Sequence, residues 1–553
     1  MPVINFDYHD LCSMLGEEVP RKTLLERIPM IGADMHDTEG EVDEMSVEFF
    51  PDRPDLYSVE GLARGMRAFL DIEPGMTEYD VDDSDIDVFV DDSVKDVRPY
   101  FRCAVVLGVE VDDTLLKSIM EMQEKLHITI GRKRSKIAIG IHDLDKVEPP
   151  FTYKAIDPHE IKFVPLAKEE GWDLDEILQK HEKGVAYAHL LKGYDKYPII
   201  LDAKGNVLSF PPIINGALTT VTTETRNLFI DVTGNDLKTV EGALNIISTA
   251  MAERGGRIVS VNMHDDGKEF VSPDLSSSSW KFSKSDCNKF LGIPLSDEDM
   301  VHSLNKMGLD ALIDDDIVHV EVPSTRMDIM HTVDLYEDVA TGYGFERYGQ
   351  SSHMVTQTAG KLSDVTAFSE RLRDVIIGLG FTEVVTLTLS NEKDEFTNAG
   401  LPEQDVVTVM NPITEDHTCL RHSLFPSLMR LFRRNKRRDL PQRIFEISDV
   451  IVDAVKQRNL CLAEMNSKVS FTEIKSYSES VLREIGADYE LKASEYDVFI
   501  DGRGAEVIID GRSVGYFGEV SPQVVIDFDI NHPVMMFELD LQPFIERLGG
   551  GLF

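Results

Sequence analysis

Between Arg326 and Phe345 the sequence reads RMDIMHTVDLYEDVATGYGF. Asp334, Glu337 and Asp338 stand there at i, i+3 and i+4, which on a helix puts three carboxylates on one face. Asp328 precedes them, on the connection into that helix. Clustered carboxylates repel one another unless a cation offsets them, and oxygen-only ligands without His or Cys suit a hard ion such as Mg²⁺. The same residues could equally be the acid-rich first turn of a helix, complementing its dipole. A second constellation is FPPIINGALTTVTTETRNLFIDVTGND, Phe210 to Asp236. Asn215-Gly216 marks a turn or a close backbone approach. Thr219, Thr220, Thr222, Thr223 and Thr225 then offer hydroxyls that could read a polar group on a small ligand, or could form a Thr-rich edge strand. A third is basic: Leu424, Leu428, Leu431 and Phe432 share one helical face, with Arg430, Arg433, Arg434 and Arg437 on the other. That face is either solvated or set against RNA or an acidic partner, and the basic loop Gly131–Lys136 carries the same pair of readings. No GxSxG elbow and no convincing Cys–His pair provides a covalent nucleophile.

The elements that must hold these groups follow from pattern and punctuation. The 553 residues are enough for three to five domains. Four are expected: 1–85, 86–268, 269–350 and 351–553. Ser58 fits a helix N-cap ahead of a stripe at Leu62, Met66 and Phe69. FRCAVVLGVEV, KIAIGIHD and YPIILDAKGNVLSF read as strands, and KSIMEMQEKLHITIG opens as a helix. From about Lys361 a helix starts, with Val365, Phe368, Leu372, Val375, Ile376 and Leu379 on one face and Gly380 closing it. FTEVVTLTLS reads as the strand that follows.

Composition is that of a globular protein, with 42% apolar and 28% charged residues. No run approaches the roughly 20 apolar residues of a membrane span, and the N-terminus lacks the pattern of a signal peptide. The five cysteines are scattered and odd in number, which suggests neither a zinc ribbon nor a disulfide framework and favours the cytoplasm. The net charge of −43 argues mildly against nucleic-acid binding, so any RNA contact must come from local basic patches or from a partner. Part of the excess is local, with eleven acids and one base between Asp71 and Asp96.

Four stretches carry a resemblance: EFFPDRPDLYSVEGLARG, KLHITIGRKRSKIAIGIHDLDKVEPPFTY, PSTRMDIMHTVDLYEDVATGYGF and NPITEDHTCLRHSLFPSLMRLFRRNKRRDLPQRIFEISDV. Together, and in this order, they resemble the beta subunit of phenylalanyl-tRNA synthetase of the archaeal/eukaryotic type. The resemblance implies a multidomain α+β and α/β protein with an editing domain, a small winged-helix-like module and a degenerate class II synthetase core, an antiparallel sheet flanked by helices. It implies a separate catalytic alpha subunit, in an assembly of two alpha and two beta chains, with tRNA(Phe) as the nucleic-acid partner and no membrane. The family's magnesium ligands fall on Asp328, Asp334, Glu337 and Asp338. The editing residue that recognises a tyrosine hydroxyl falls on Asp231, and the glycine that admits substrate falls on Gly216. Asn215, Thr222, Thr223 and Thr225 are the expected substrate contacts. The stretch Gly515–Leu541 contains no Arg or Lys to hold an ATP phosphate, so activation is expected to belong to the alpha subunit. The competing reading is a structural RNA-binding scaffold whose editing pocket is inactive. A free-standing metal-dependent hydrolase is disfavoured, because no His or nucleophile accompanies the Asp328 group.

Overall fold

A computed structural model describes residues 2–36, 43–348 and 359–547. The chain divides into two compact units, Met1–Met354 and Val355–Phe553. The expected boundary at 350/351 lies outside the described residues.

The first unit begins with a three-stranded sheet, Val3–Asp7, Glu44–Phe49 and Ala33–His36 in that spatial order. Sharing the sheet's core, and packed against the helix Tyr8–Leu15, is the helix Val59–Phe69. Ser58 caps that helix as expected, its Oγ accepting the Gly61 N–H at 3.2 Å, and Leu62, Met66 and Phe69 are buried. Next comes a β-sandwich. One layer is a five-stranded sheet whose centre is Tyr100–Leu107, Asn227–Gly234 and Ile137–Asp143, all antiparallel. The other is a seven-stranded sheet that includes Phe151–Ile156, Tyr197–Leu201 and Val207–Phe210. Phe101, Cys103, Phe151, Tyr153, Leu208 and Phe229 fill the space between them. The five-stranded sheet's outer face is covered by the long helix Leu237–Glu253, whose Val240, Leu244, Ile247 and Met251 join the core with Ile139, Ile230 and Val232. The expected helix forms over Asp113–Ile128.

A small module completes this unit. It has three strands, Ser278–Ser283, Ile317–Val322 and Asp310–Asp314, with the helices Lys284–Leu291, Asp297–Lys306 and Thr332–Tyr343. His331 caps the last of these, and Leu335 and Val339 anchor it in the core.

The second unit is built on a seven-stranded sheet. Thr382–Glu383 runs parallel to Gln442–Val452, and all the other pairs are antiparallel. Strand alternation gives the sheet two apolar faces. Phe445, Ile447, Leu462, Phe517 and Phe537 meet the helices Asp364–Gly378 and Phe471–Ile485 on one side. On the other, Cys461, Ala463 and Met536 meet the helix Phe425–Asn435. FTEVVTLTLS departs from its reading as one strand. Only Thr382–Glu383 and Leu389–Ser390 pair, and Val385 and Leu387 between them are exposed. Among the described residues no helix is long and apolar enough to cross a membrane.

Candidate active site

Asp231 sits in the middle of the central strand Asn227–Gly234, opposite Cys103 on one side and Gly140 on the other. It is 1% exposed and lines a narrow cleft of only about 10 Å³, the room of a single water molecule. A β-carbon at Gly140 would lie 1.9 Å from Asp231 Oδ2, so the neighbouring strand must be bare at that point for the carboxylate to occupy its place. Two residues along the same strand, and so on the same face, the fully buried His142 places Nε2 2.8 Å from Asp231 Oδ2. Its Nδ1 is 2.7 Å from Thr219 Oγ1. The imidazole thus bridges the carboxylate and the threonine hydroxyl through its two ring nitrogens. The three groups form one buried chain that fixes the carboxylate's position.

The cleft's walls come from the Phe210–Asn215 turn and the basic loop. Asn215 Oδ1 accepts from Ser209 Oγ at 3.2 Å. Arg134 donates from Nη1 to the Ile213 carbonyl at 2.8 Å and lies over the Tyr187 ring, 4.7 Å from its centroid. Arg132, Lys133 and Arg134 have positive φ in succession, a backbone that turns Arg134 inward while Arg132 and Lys133 stay exposed. Arg98, beneath the site, donates to Thr233 Oγ1 and to the Thr233 carbonyl, both at 2.8 Å. Burial pushes its guanidinium down to about 10, with the charges of Tyr153 and Asp231 opposing, so it remains a cation at neutral pH.

The structure brings Asp231 and Asn215 together and leaves the other expected contacts elsewhere. A β-carbon at Gly216 would meet the Val207 carbonyl at 2.6 Å, so close strand packing accounts for that glycine. Thr222 and Thr223 are exposed in a turn, and Thr225 is buried, donating to Asp143 Oδ2 at 2.9 Å. These hydroxyls brace a loop; they neither line the cleft nor form an edge strand, because their bonds are to the turn's own backbone and to Asp143. His142 and Gly140 went unremarked in the sequence, and Thr219 was read only as one of five hydroxyls. The strand KIAIGIHD held the signal, since alternation puts Gly140 and His142 on one face.

The four acids of the small module do not form one ligand set. Arg326, in the same motif, donates from Nε and Nη2 to Asp328 at 2.9 and 2.7 Å, and from Nη2 to the buried Asp338 at 2.8 Å. Asp334 Oδ2 accepts the N–H groups of Met330 and His331, a capping role. Among the described residues no group of three or more His, Cys, Asp or Glu side chains is placed to hold a metal ion. The guanidinium therefore supplies much of the charge offset that the acids alone had seemed to require. Glu337 is the exception. It is exposed, and burial together with Asp338, Asp52, Asp334 and Asp328 holds its carboxyl above the usual range.

In the second unit Glu519 pairs with Arg503 at 2.6 Å and Asp529 with Lys436 at 2.5 Å. Arg430 is half-buried, 3.5 Å from Asp394, while Arg433, Arg434 and Arg437 are exposed.

Sandwich, small α/β module and helix-flanked antiparallel sheet match, in that order, domains of tRNA synthetase chains. Residues 114–270 match the B3/4 domain family, 280–345 the tRNA synthetase B5 domain family, and 350–541 the phenylalanyl tRNA synthetase beta chain CLM domain family. The phenylalanine–tRNA ligase beta subunit of Methanothrix thermoacetophila is 44% identical over 98% of this chain and 100% of its own length. That of Archaeoglobus fulgidus is 43% identical over 99% of both. The crystal structure of an N-terminal fragment of the beta subunit from Pyrococcus horikoshii superposes with a TM-score of 0.60 at 39% identity, covering 62% of this chain and all of the fragment. The chain belongs to the family of phenylalanine–tRNA ligase beta subunits.

Proposed function

We propose that this chain works with a separate alpha subunit, as two alpha and two beta chains in the cytoplasm, to attach phenylalanine to tRNA(Phe) using ATP, and that its sandwich domain hydrolyses tyrosine wrongly attached to that tRNA. The observation that carries the editing reading is the buried Asp231 carboxylate, fixed by His142 on the lining of that cleft. Phenylalanine and tyrosine differ by one hydroxyl, and an apolar synthetic pocket rejects an added hydroxyl only about a hundredfold. A second pocket whose acceptor bonds that hydroxyl sorts in the opposite sense. A hydrogen bond to a charged acceptor contributes about 1.5–3 kcal/mol. Phenylalanine cannot make that bond, so correct product is spared. Asn215 is assigned to the cleft wall, and hydrolysis uses a water held near the ester carbonyl rather than a protein nucleophile.

Asp231→Ala should prolong the lifetime of Tyr-tRNA by about 10- to 150-fold, the span of that hydrogen bond, with Phe-tRNA formation near normal. Deacylation of preformed Tyr-tRNA by the alpha/beta complex reads this directly. Equal clearance by wild type and variant would remove Asp231 from the specificity role and favour the scaffold reading.

The family depends on Mg²⁺. We assign a weak site on this chain to Glu337 and the uncapped oxygen of Asp334, since Mg²⁺ keeps most of its waters and takes only one or two carboxylates. Such an ion would relieve the crowding that raises Glu337. Glu337→Gln should then abolish the Mg²⁺-dependent gain in the chain's melting temperature, and a gain that survives the substitution rules the assignment out.

A further inference from the structure

The chain carries 99 acidic and 56 basic residues, yet six of the basic ones fall within the nine positions from Arg430 to Arg438, with no acid among them. This stretch is the C-terminal half of the helix Phe425–Asn435 and the turn that follows it. The helix's inner face is taken, because Leu428, Met429 and Phe432 are buried in the second unit's core. Two of the six cations are taken as well. Arg430 lies 3.5 Å from Asp394 and donates to Ser427 Oγ at 3.1 Å, and Lys436 pairs with Asp529 at 2.5 Å. The other four, Arg433, Arg434, Arg437 and Arg438, are exposed, and none of their guanidinium groups has a hydrogen-bond or ion-pair partner among the described residues.

Cations at a helix C-terminus ordinarily serve the dipole or bond the last carbonyls. Here amides do that work. Gln442 Nε2 donates to the carbonyls of Asn435 and Arg438 at 2.9 and 3.4 Å, and Asn435 Nδ2 donates to that of Leu431 at 3.0 Å. Arg437 and Arg438 stand beyond the last helical residue. The same bonds tie the turn to the strand Gln442–Val452, so the four arginines are presented together on ordered backbone. Like charges so close destabilise the free chain. Asp529 acts on Arg433 only across space, since that carboxylate is already bonded to Lys436.

We propose that Arg433, Arg434, Arg437 and Arg438 form a docking surface for the phosphate backbone of RNA, an inference that rests on the tRNA-dependent role proposed above. A guanidinium stays charged and presents a fork that fits two phosphate oxygens. Protein interfaces, by contrast, bury an apolar centre depleted of charge, and no large apolar side chain is exposed between Arg430 and Arg443. Phosphate contacts position a nucleic acid without reading its sequence. The surface therefore supplies affinity and register, and tRNA identity is read elsewhere.

The test is the affinity of the alpha/beta complex for unacylated tRNA(Phe), followed by fluorescence anisotropy across a salt series. The paired variants Arg433→Gln with Arg434→Gln, and Arg437→Gln with Arg438→Gln, should each lower the slope of log affinity against log salt by about one to two, and weaken binding at physiological salt roughly tenfold. Arg437→Lys with Arg438→Lys keeps the charge and should keep the slope. In aminoacylation the Gln variants should raise KM for tRNA and leave kcat unchanged, because the surface holds substrate and does not react. Two pairs, one on the helix and one on the turn, keep the test decisive should either fail to fold. Unchanged affinity and slope in the folded Gln variants overturns the proposal and leaves the complex's role intact. Loss of alpha-subunit association with tRNA binding unaltered also overturns it, as the mark of a protein contact. A wild-type complex that binds no tRNA overturns both this proposal and the reading it rests on.

Discussion

At Gly140 the side chain that is missing matters as much as those present around it. Any β-carbon there would stand 1.9 Å from Asp231 Oδ2 and 2.6 Å from His142 Nε2, inside the contact distance of both. Gly140→Ala should cost about 1–3 kcal/mol of overpacking. The groups nearest the new methyl are the two that set the acceptor, so we expect Tyr-tRNA deacylation to slow by about an order of magnitude while Phe-tRNA formation is unchanged. Parallel deacylation and aminoacylation assays check this, and an unaffected deacylation rate would mean that the carboxylate's position is not critical. At this scale the sequence was legible where a residue type carries its own meaning. Asp231 could be placed by resemblance. His142 and Thr219 could not, because their role depends on two segments far apart in sequence meeting in space. The same limit hid Arg326, whose pairing with Asp328 and Asp338 needs the chain to fold back on itself.

Among the elements, the helix Phe425–Asn435 shows how buried acids can serve structure. Its N-terminus points at two carboxylates. Glu538 accepts the Leu424 and Phe425 N–H groups, and Glu395 accepts those of His422 and Ser423. The Leu424 and Phe425 groups are donors a helix start leaves unsatisfied, and those of His422 and Ser423 belong to the turn that leads into it. Burial pushes Glu395 up to about 7 from an ordinary 4.5, against the hydrogen bonds from Ser390, Ser423 and His422 that favour its charge. The folded unit thus holds this proton more tightly than the unfolded chain does. Its contribution is full below pH 4.5 and is lost as pH rises through 7. The full chain should melt at a lower temperature at pH 8 than at pH 5.5, and Glu395→Gln should flatten that difference. A pH dependence unchanged by the substitution would refute the assignment. Elements were otherwise well marked in the sequence. Ser58 and its apolar stripe gave a correct helix start, and the strand at KIAIGIHD formed as read. FTEVVTLTLS misled because its β-branched residues suit a strand while only its two ends find partners.

For the molecule as a whole, the charge of −43 sets the terms on which RNA can approach. A chain this acidic repels RNA at long range, so any contact must come from local basic patches or from a partner. The same scale governs synthesis of the aminoacyl bond. From Gly515 to Leu541 the second unit offers no Arg or Lys. The purified chain should therefore show no phenylalanine-dependent ATP–pyrophosphate exchange, and addition of the alpha subunit should restore it; measurable exchange by the chain alone would contradict this division of labour. Glu538 has one more consequence, this time for the order in which the chain is made. Leu424, the N-cap of the helix it caps, lies 114 residues before it in sequence. On the ribosome that helix emerges long before its cap exists, and translation adds residues at only about 5–20 per second. For several seconds the nascent second unit must carry a helix start with open donors and an apolar face waiting for the strand Val534–Asp540, an interval in which a chaperone could engage it.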